Sequence, residues 1–179
     1  MSPAPASTVH VGVEPDPVHV RVVRLVTVSL ARLTGLPEEA LDDVRLATSE
    51  AVGRAVAAHR ASRIDDLVQI DVSLGRTLEV RVHDRVPLPA ATGTAAVALL
   101  QGAAEADLAS RVVRESDPGD SNPGDSEPDV LDLASLEGPD SELPVLAEAV
   151  SLIEGLVDES AVSTGPDGTS ITMRWRRAG

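Results

Sequence analysis

Apolar residues along this chain change period several times, and each change marks an element. Val9, Val11 and Val13 alternate with polar residues, which predicts a short first strand before Pro15 and Pro17. From Val18 to Leu33, the positions Val22, Leu25, Val26, Leu30 and Leu33 follow a helical repeat, with Arg21, Arg24 and Arg32 off the stripe. The β-branched residues there leave a strand open for part of it, and Gly35 suits a helix stop. The stretch from Pro37 to Arg60 predicts a long helix. Pro37 suits its first position, and Glu38 and Glu39 place negative charge at the positive end of the dipole. Val44, Thr48, Ala51, Val52, Ala55 and Val56 form its apolar stripe. Val68, Ile70, Val72 and Leu74 alternate as a half-buried strand. Gly75-Arg76 fits a two-residue hairpin turn, and Leu78, Val80 and Val82 alternate in the return strand. Helical spacing returns at Leu146, Ala149, Val150, Ile153, Leu156 and Val157, predicting a helix over 143–157 that Ser141 could cap. Ala161 and Val162 suggest a strand, 165–168 a turn, and Thr169, Ile171, Met173 and Trp175 a last strand.

This order predicts a two-layer α/β sandwich, a mixed, mostly antiparallel sheet with helices on one face, spanning residues 9–177 as a single domain. Residues 1–8, rich in Pro, Ala and Ser, are expected to fray. A long insertion over 85–142 interrupts the domain. Its first part carries Val97, Leu100, Ala104, Leu108 and Val112, which suggest one or two short helices. Its second part, 115–142, holds ten acids and no Arg, with Pro, Gly and Ser between them, and is expected to be disordered. Val130, Leu131, Leu133 and Leu136 within it fit a partner-binding anchor or plain disordered chain. The acids lack the spacing of a helix–loop–helix calcium loop.

Composition narrows the function classes. With one Trp and no Phe or Tyr, the core must be built from Val, Leu, Ala and Ile. All 15 basic residues are Arg, which suggests GC-rich coding. With no Cys there is no disulfide, thiolate metal site or cysteine nucleophile. The net charge of −14 argues against nucleic acid as a partner and allows a basic protein. Neither a signal peptide nor a run of membrane-spanning length is evident, so a cytoplasmic protein is expected.

Two places carry candidate chemistry. Glu50 and Arg54 stand four residues apart on the long helix, and spacing alone predicts a solvated ion pair away from the apolar stripe. Asp84 is the next residue in the inward register of its strand. It is either a buried carboxylate in need of partners or, if the strand stops at His83, a turn residue before Pro87 and Pro89. Thr169 shares the inward face of the last strand, where it and Asp84 could bond each other, a buried water or a ligand.

The helix TSEAVGRAVAAHR, the hairpin VQIDVSLGRTLEVRVHD and the final GTSITMRW make the chain resemble the anti-sigma regulatory serine kinases, within the histidine-kinase-like ATPases. The resemblance covers roughly residues 9–84 and 143–177. It implies that Glu50 is a candidate base, that Arg54 stands where the family has a magnesium-binding Asn, and that Asp84 reads the adenine amino group. Gly168 and Thr169 match a late Gly-Thr that helps hold the adenine. Val86 and Leu88 occupy the family's glycine positions after the Asp. An Arg has no acceptor and cannot ligate magnesium, although it can pair with a phosphate or take over the metal's charge. Two prolines stiffen the loop that should approach the ligand. ATP is therefore a candidate ligand and magnesium a doubtful one. The expected function is that of a degenerate regulator controlling transcription by protein binding. A sigma factor or an anti-sigma antagonist is the implied partner, and a homodimer is also implied. The alternatives are an ATP-dependent serine-protein kinase with a remodelled site, and a scaffold that works through its acidic insertion.

Overall fold

The computed structural model describes residues 7–98 and 146–176. Strands β1 (Ser7–Val13), β2 (Val68–Leu74), β3 (Thr77–Asp84), β4 (Ala91–Thr92), β5 (Glu159–Gly165) and β6 (Gly168–Arg176) form one sheet in the order β1-β2-β3-β6-β5-β4. Every pairing in it is antiparallel. Helices α1 (Pro17–Leu33), α2 (Glu38–Ser62) and α3 (Leu146–Leu156) cover one face, with α2 in the middle between the other two. This is the expected two-layer sandwich, with the sheet wholly antiparallel.

Strand alternation sets the layers. Val68, Ile70, Val72, Leu78, Val80, Val82, Ile171, Met173 and Trp175 point under the helices and are buried. Burying a Val or Leu side chain of this kind contributes about 1.5–3 kcal/mol, so this aromatic-poor core rests on many aliphatic contacts. The opposite face is polar. Glu79 Oε2 accepts from Arg174 Nε at 2.7 Å, and Arg174 Nη1 donates to Glu159 Oε1 at 3.0 Å. The hydrogen bond that Arg174 donates to Glu79, and then that carboxylate's charge, raise the pKa of Arg174 above its ordinary value.

Several boundaries differ from the sequence expectation. Ser7 and Thr8, expected to fray, belong to β1: Ser7 pairs with Leu74, and Thr8 Oγ1 lies 2.9 Å from Ser73 Oγ. Leu74 faces Leu78 across the β2–β3 hairpin, leaving three residues between them rather than two. Pro37 is the N-cap of α2 rather than its first residue, and α2 ends at Arg63 in the left-handed conformation (φ 54°). The two-residue β4 carried no sequence signal. Residues 94–98 are helical, as expected for the start of the insertion. The rest of the 94–115 helices, the acidic stretch 115–142 with Val130, Leu131, Leu133 and Leu136, Ser141 and residues 143–145 lie outside the described residues.

The largest correction concerns α1. Asp16 caps it, its side chain accepting from Val18 N at 2.9 Å. Its buried residues are Val23, Thr27, Val28 and Ala31. The stripe read from the sequence is turned largely outward: Val22 is 49% exposed, Leu25 58% and Leu33 76%, with Val18 at 64% beside them, while Val26 and Leu30 are half-buried and Leu30 packs against the core. Helical spacing was present, but α1 has apolar residues on two faces, and period alone does not say which one the core takes.

Candidate functional site

The site lies at the end of β3, where three elements converge under the C-terminal half of α2. Asp84 is the last residue of β3 and pairs with Thr169 on β6. It remains in strand register, so its side chain points into the helix layer and is fully buried. The turn reading of this residue is therefore set aside.

The Asp84 carboxylate is taken up by this chain's own groups. Arg54 Nη2 donates to Oδ2, forming an ion pair in which Arg54 is 2% exposed and Asp84 0%. Oδ1 accepts from the backbone N–H of Val86 at 2.9 Å and of Thr169 at 3.2 Å. Gly168, which precedes Thr169, has φ +125°, and a Cβ there would lie 1.8 Å from the carbonyl oxygen of Asp84. Only a glycine lets β6 come this close.

The solvated Glu50–Arg54 pair expected from spacing does not form. Arg54 turns inward and pairs with Asp84, and Glu50 is half-buried with no ion pair among the described residues. The reason is the central position of α2. With α1 on one side, α3 on the other and the sheet beneath, its buried surface extends past the apolar stripe to Ala47, Arg54 and Ala57. Arg54 follows Ala47 and Ala51 at helical spacing, on the margin of the stripe.

His59 is a site residue that the sequence reading missed. It is fully buried on α2; its Nδ1 lies 3.0 Å from the Asp66 carbonyl oxygen, and its Nε2 accepts from the Arg85 N–H at 2.8 Å. A carbonyl can only accept, so the ring proton sits on Nδ1. The signal was available: His59 continues the Thr48, Val52, Ala55 line of the stripe. Together with Asp84 it fixes the chain that follows. Arg85 bonds to His59, Val86 to Asp84, and the Leu88 N–H to the Gly165 carbonyl at 3.0 Å. Thr164 Oγ1 donates to the Pro89 carbonyl at 2.6 Å. Val86 and Leu88 are the positions where the resemblance expects glycine, and both of their amides are bound within the chain.

Two polar atoms beside Asp84 are buried without a hydrogen-bond partner, Arg54 Nε and Thr169 Oγ1. Among the described residues no group of three or more His, Cys, Asp or Glu side chains could hold a metal. The site presents hydrogen-bond donors and a carboxylate already occupied by Arg54.

A profile of the histidine-kinase-like ATPase domain matches residues 13–175, nearly the whole chain. The chain belongs to that family. A solved structure, the RsbU and RsbW domains of Rv1364c from Mycobacterium tuberculosis, is similar to this member with a TM-score of 0.54 and 16% identity. The similarity covers 97% of this chain and 32% of that one, and it is a likeness of fold. A search of curated proteins returned no match. Within this ATPase family the buried Arg54–Asp84 pair stands at the place where the resemblance puts adenine recognition. The residues present do not fit a nucleotide in this arrangement, because the carboxylate that would receive the base already holds a guanidinium.

Proposed function

We propose that this protein is a regulator of the anti-sigma kind that binds a partner protein and neither binds ATP nor transfers phosphate. A sigma factor or an anti-sigma antagonist is the proposed partner. One observation carries the reading: the exposed apolar face of α1. Val18, Val22, Leu25 and Leu33 lie within one helical stripe and account for four of the seven large hydrophobic residues exposed among the described residues. An exposed apolar stripe along one helix is a candidate interaction site. Exposed Arg21 and Arg32 flank the stripe, and α1 contains no acidic residue. Although the chain carries a net −14, this face is basic, so the partner's contact surface is expected to be acidic with an apolar centre. The RsbW-like fold and the family membership support the regulatory part of the proposal.

The test uses purified candidate sigma factors and antagonists without nucleotide. Leu25→Glu is expected to weaken capture at least tenfold, as for a hot-spot residue, while stability stays within about 0.5 kcal/mol of wild type. Unchanged capture by Leu25→Glu would remove α1 from the interface. Calorimetric titration with ATP, with and without magnesium, is expected to give no binding heat at millimolar nucleotide. Magnesium-dependent binding followed by phosphate transfer to a partner serine would replace this proposal with the kinase reading.

A further inference from the structure

Residues 127–137, EPDVLDLASLE, have the composition that the α1 face calls for. Val130, Leu131, Leu133 and Leu136 supply an apolar centre, Glu127, Asp129, Asp132 and Glu137 stand around it, and the stretch contains no basic residue. We infer that this segment docks on the exposed apolar face of α1 and competes there with the partner protein, an inference that rests on the proposed reading of that face and adds how access to it is controlled.

Charge and reach both favour this occupant. The face offers Val18, Val22, Leu25 and Leu33, with Arg21 and Arg32 exposed beside them and Arg24 half-buried. Among the described residues, none of these three arginines has an acidic partner within ion-pair distance. The other two helices offer less to an acidic segment: α2 opens with Glu38, Glu39, Asp42 and Asp43, and α3 contains Glu154 and no Arg. A second copy of the chain fits poorly, since a symmetric contact through this face would set its arginines against one another. The three helices lie side by side with α2 in the middle, at spacings of about 8–10 Å, which puts α1 roughly 20 Å from α3. α3 runs antiparallel to α2, because Gly155 and Leu156 at its end line the same cavity as Pro37 and Ala40 at the start of α2. Its first residue, Leu146, therefore lies along the later part of α2, away from the α1–α2 connection. Glu137 precedes Leu146 by nine residues, which span up to about 30 Å when extended. The segment can thus cross α2 and lie along α1 without disturbing the three helices. A segment held this close has an effective concentration on the order of 1 mM, so an intrinsic Kd of about 0.1 mM fills the face roughly ten to one. The partner's apparent affinity then falls by about the same factor.

The test has two parts, both on the full-length chain. The sequence has no Cys, so Ser135→Cys carries a single nitroxide. Its paramagnetic broadening is expected to fall on the methyl signals of Val18, Val22 and Leu25, and adding Leu25→Glu is expected to remove it from Val18 and Val22. In a second protein, residues 127–137 are replaced by Gly and Ser at equal length, and a fluorescent peptide of residues 125–139 is the probe. The peptide is expected to bind this protein, to bind wild type about tenfold more weakly because the chain's own segment holds the face, and to lose binding with Leu25→Glu. Added salt is expected to weaken it by screening the arginines. No broadening on α1 overturns the inference, as does peptide binding that Leu25→Glu leaves unchanged. Broadening that arises only between nitroxide-bearing and nitroxide-free copies assigns the segment to a second copy and overturns it as well. Replacing the segment is expected to tighten capture of the sigma factor or antagonist about tenfold. Broadening on α1 with no partner captured by either protein defeats only the proposed function. Equal capture by wild type and the replaced protein, without broadening, defeats only the docking of the segment.

Discussion

Arg54→Ala is expected to lower the unfolding free energy by about 3–5 kcal/mol, the usual cost of breaking a buried ion pair from one side. The size follows from what is left behind. Asp84 is 0% exposed, and its Oδ2 would face the gap left by the guanidinium. The two backbone amides on Oδ1 remain, so the carboxylate is only partly compensated. Asp84→Leu should cost a similar amount by stranding Arg54, whose Nε already lacks a partner. Combining Arg54→Met with Asp84→Leu is expected to recover much of the loss, because apolar replacement of a whole buried pair is often neutral or favourable. Urea denaturation of wild type, Arg54→Met, Asp84→Leu and the Arg54→Met/Asp84→Leu double variant gives the coupling energy directly. A coupling energy near zero would mean that the two side chains do not meet. Against a typical domain stability of about 5–15 kcal/mol, the single variants lie near the limit of folding at all.

The fold could be read from the sequence because the signals for it are periodic and redundant. Three strands with clean alternation, Val68–Leu74, Leu78–Asp84 and Thr169–Trp175, fixed the inward face of the sheet, while the direction of Asp84 depended on whether its strand ran past His83. The elements that were misread have two-sided or very short patterns. The α1 helix carries apolar residues on two faces, so its buried face was decided by the geometry of packing on α2. The two residues of β4 are too few for any period. The site was half legible. Register placed Asp84 and Thr169 on the inward face and Gly168 in a turn, whereas reading the three as a site came from the family resemblance. Their assembly with Arg54 was not legible, because an Arg at the margin of a helical stripe looks solvent-facing until the neighbouring helices are in position. His59 was overlooked for the converse reason: it sits squarely on the stripe but is not apolar.

Gly53 and Gly168 are expected to respond to alanine with opposite signs, and the contrast isolates the close approach that builds the site. Gly53 lies inside α2, and nothing comes within 4 Å of a Cβ placed there. Gly53→Ala should therefore stabilise the protein by about 0.5–1 kcal/mol through helix propensity and reduced chain entropy. At Gly168, φ of +125° falls in a region open essentially to glycine alone, and the added Cβ meets the Asp84 carbonyl oxygen at 1.8 Å and its carbon at 2.7 Å. Backbone strain of about 1–3 kcal/mol combines with an overpacking cost of about 1–3 kcal/mol. Relief requires β6 to move away from β3, which also pulls the Thr169 amide from Oδ1 and weakens the seat of Arg54. A total loss of about 2–6 kcal/mol is expected from Gly168→Ala, measured as the shift in urea midpoint. A Gly168→Ala protein as stable as wild type would show that the strands can separate freely here. The carboxylate at the end of β3 would then lack the rigid setting that both the ion pair and any competing ligand require.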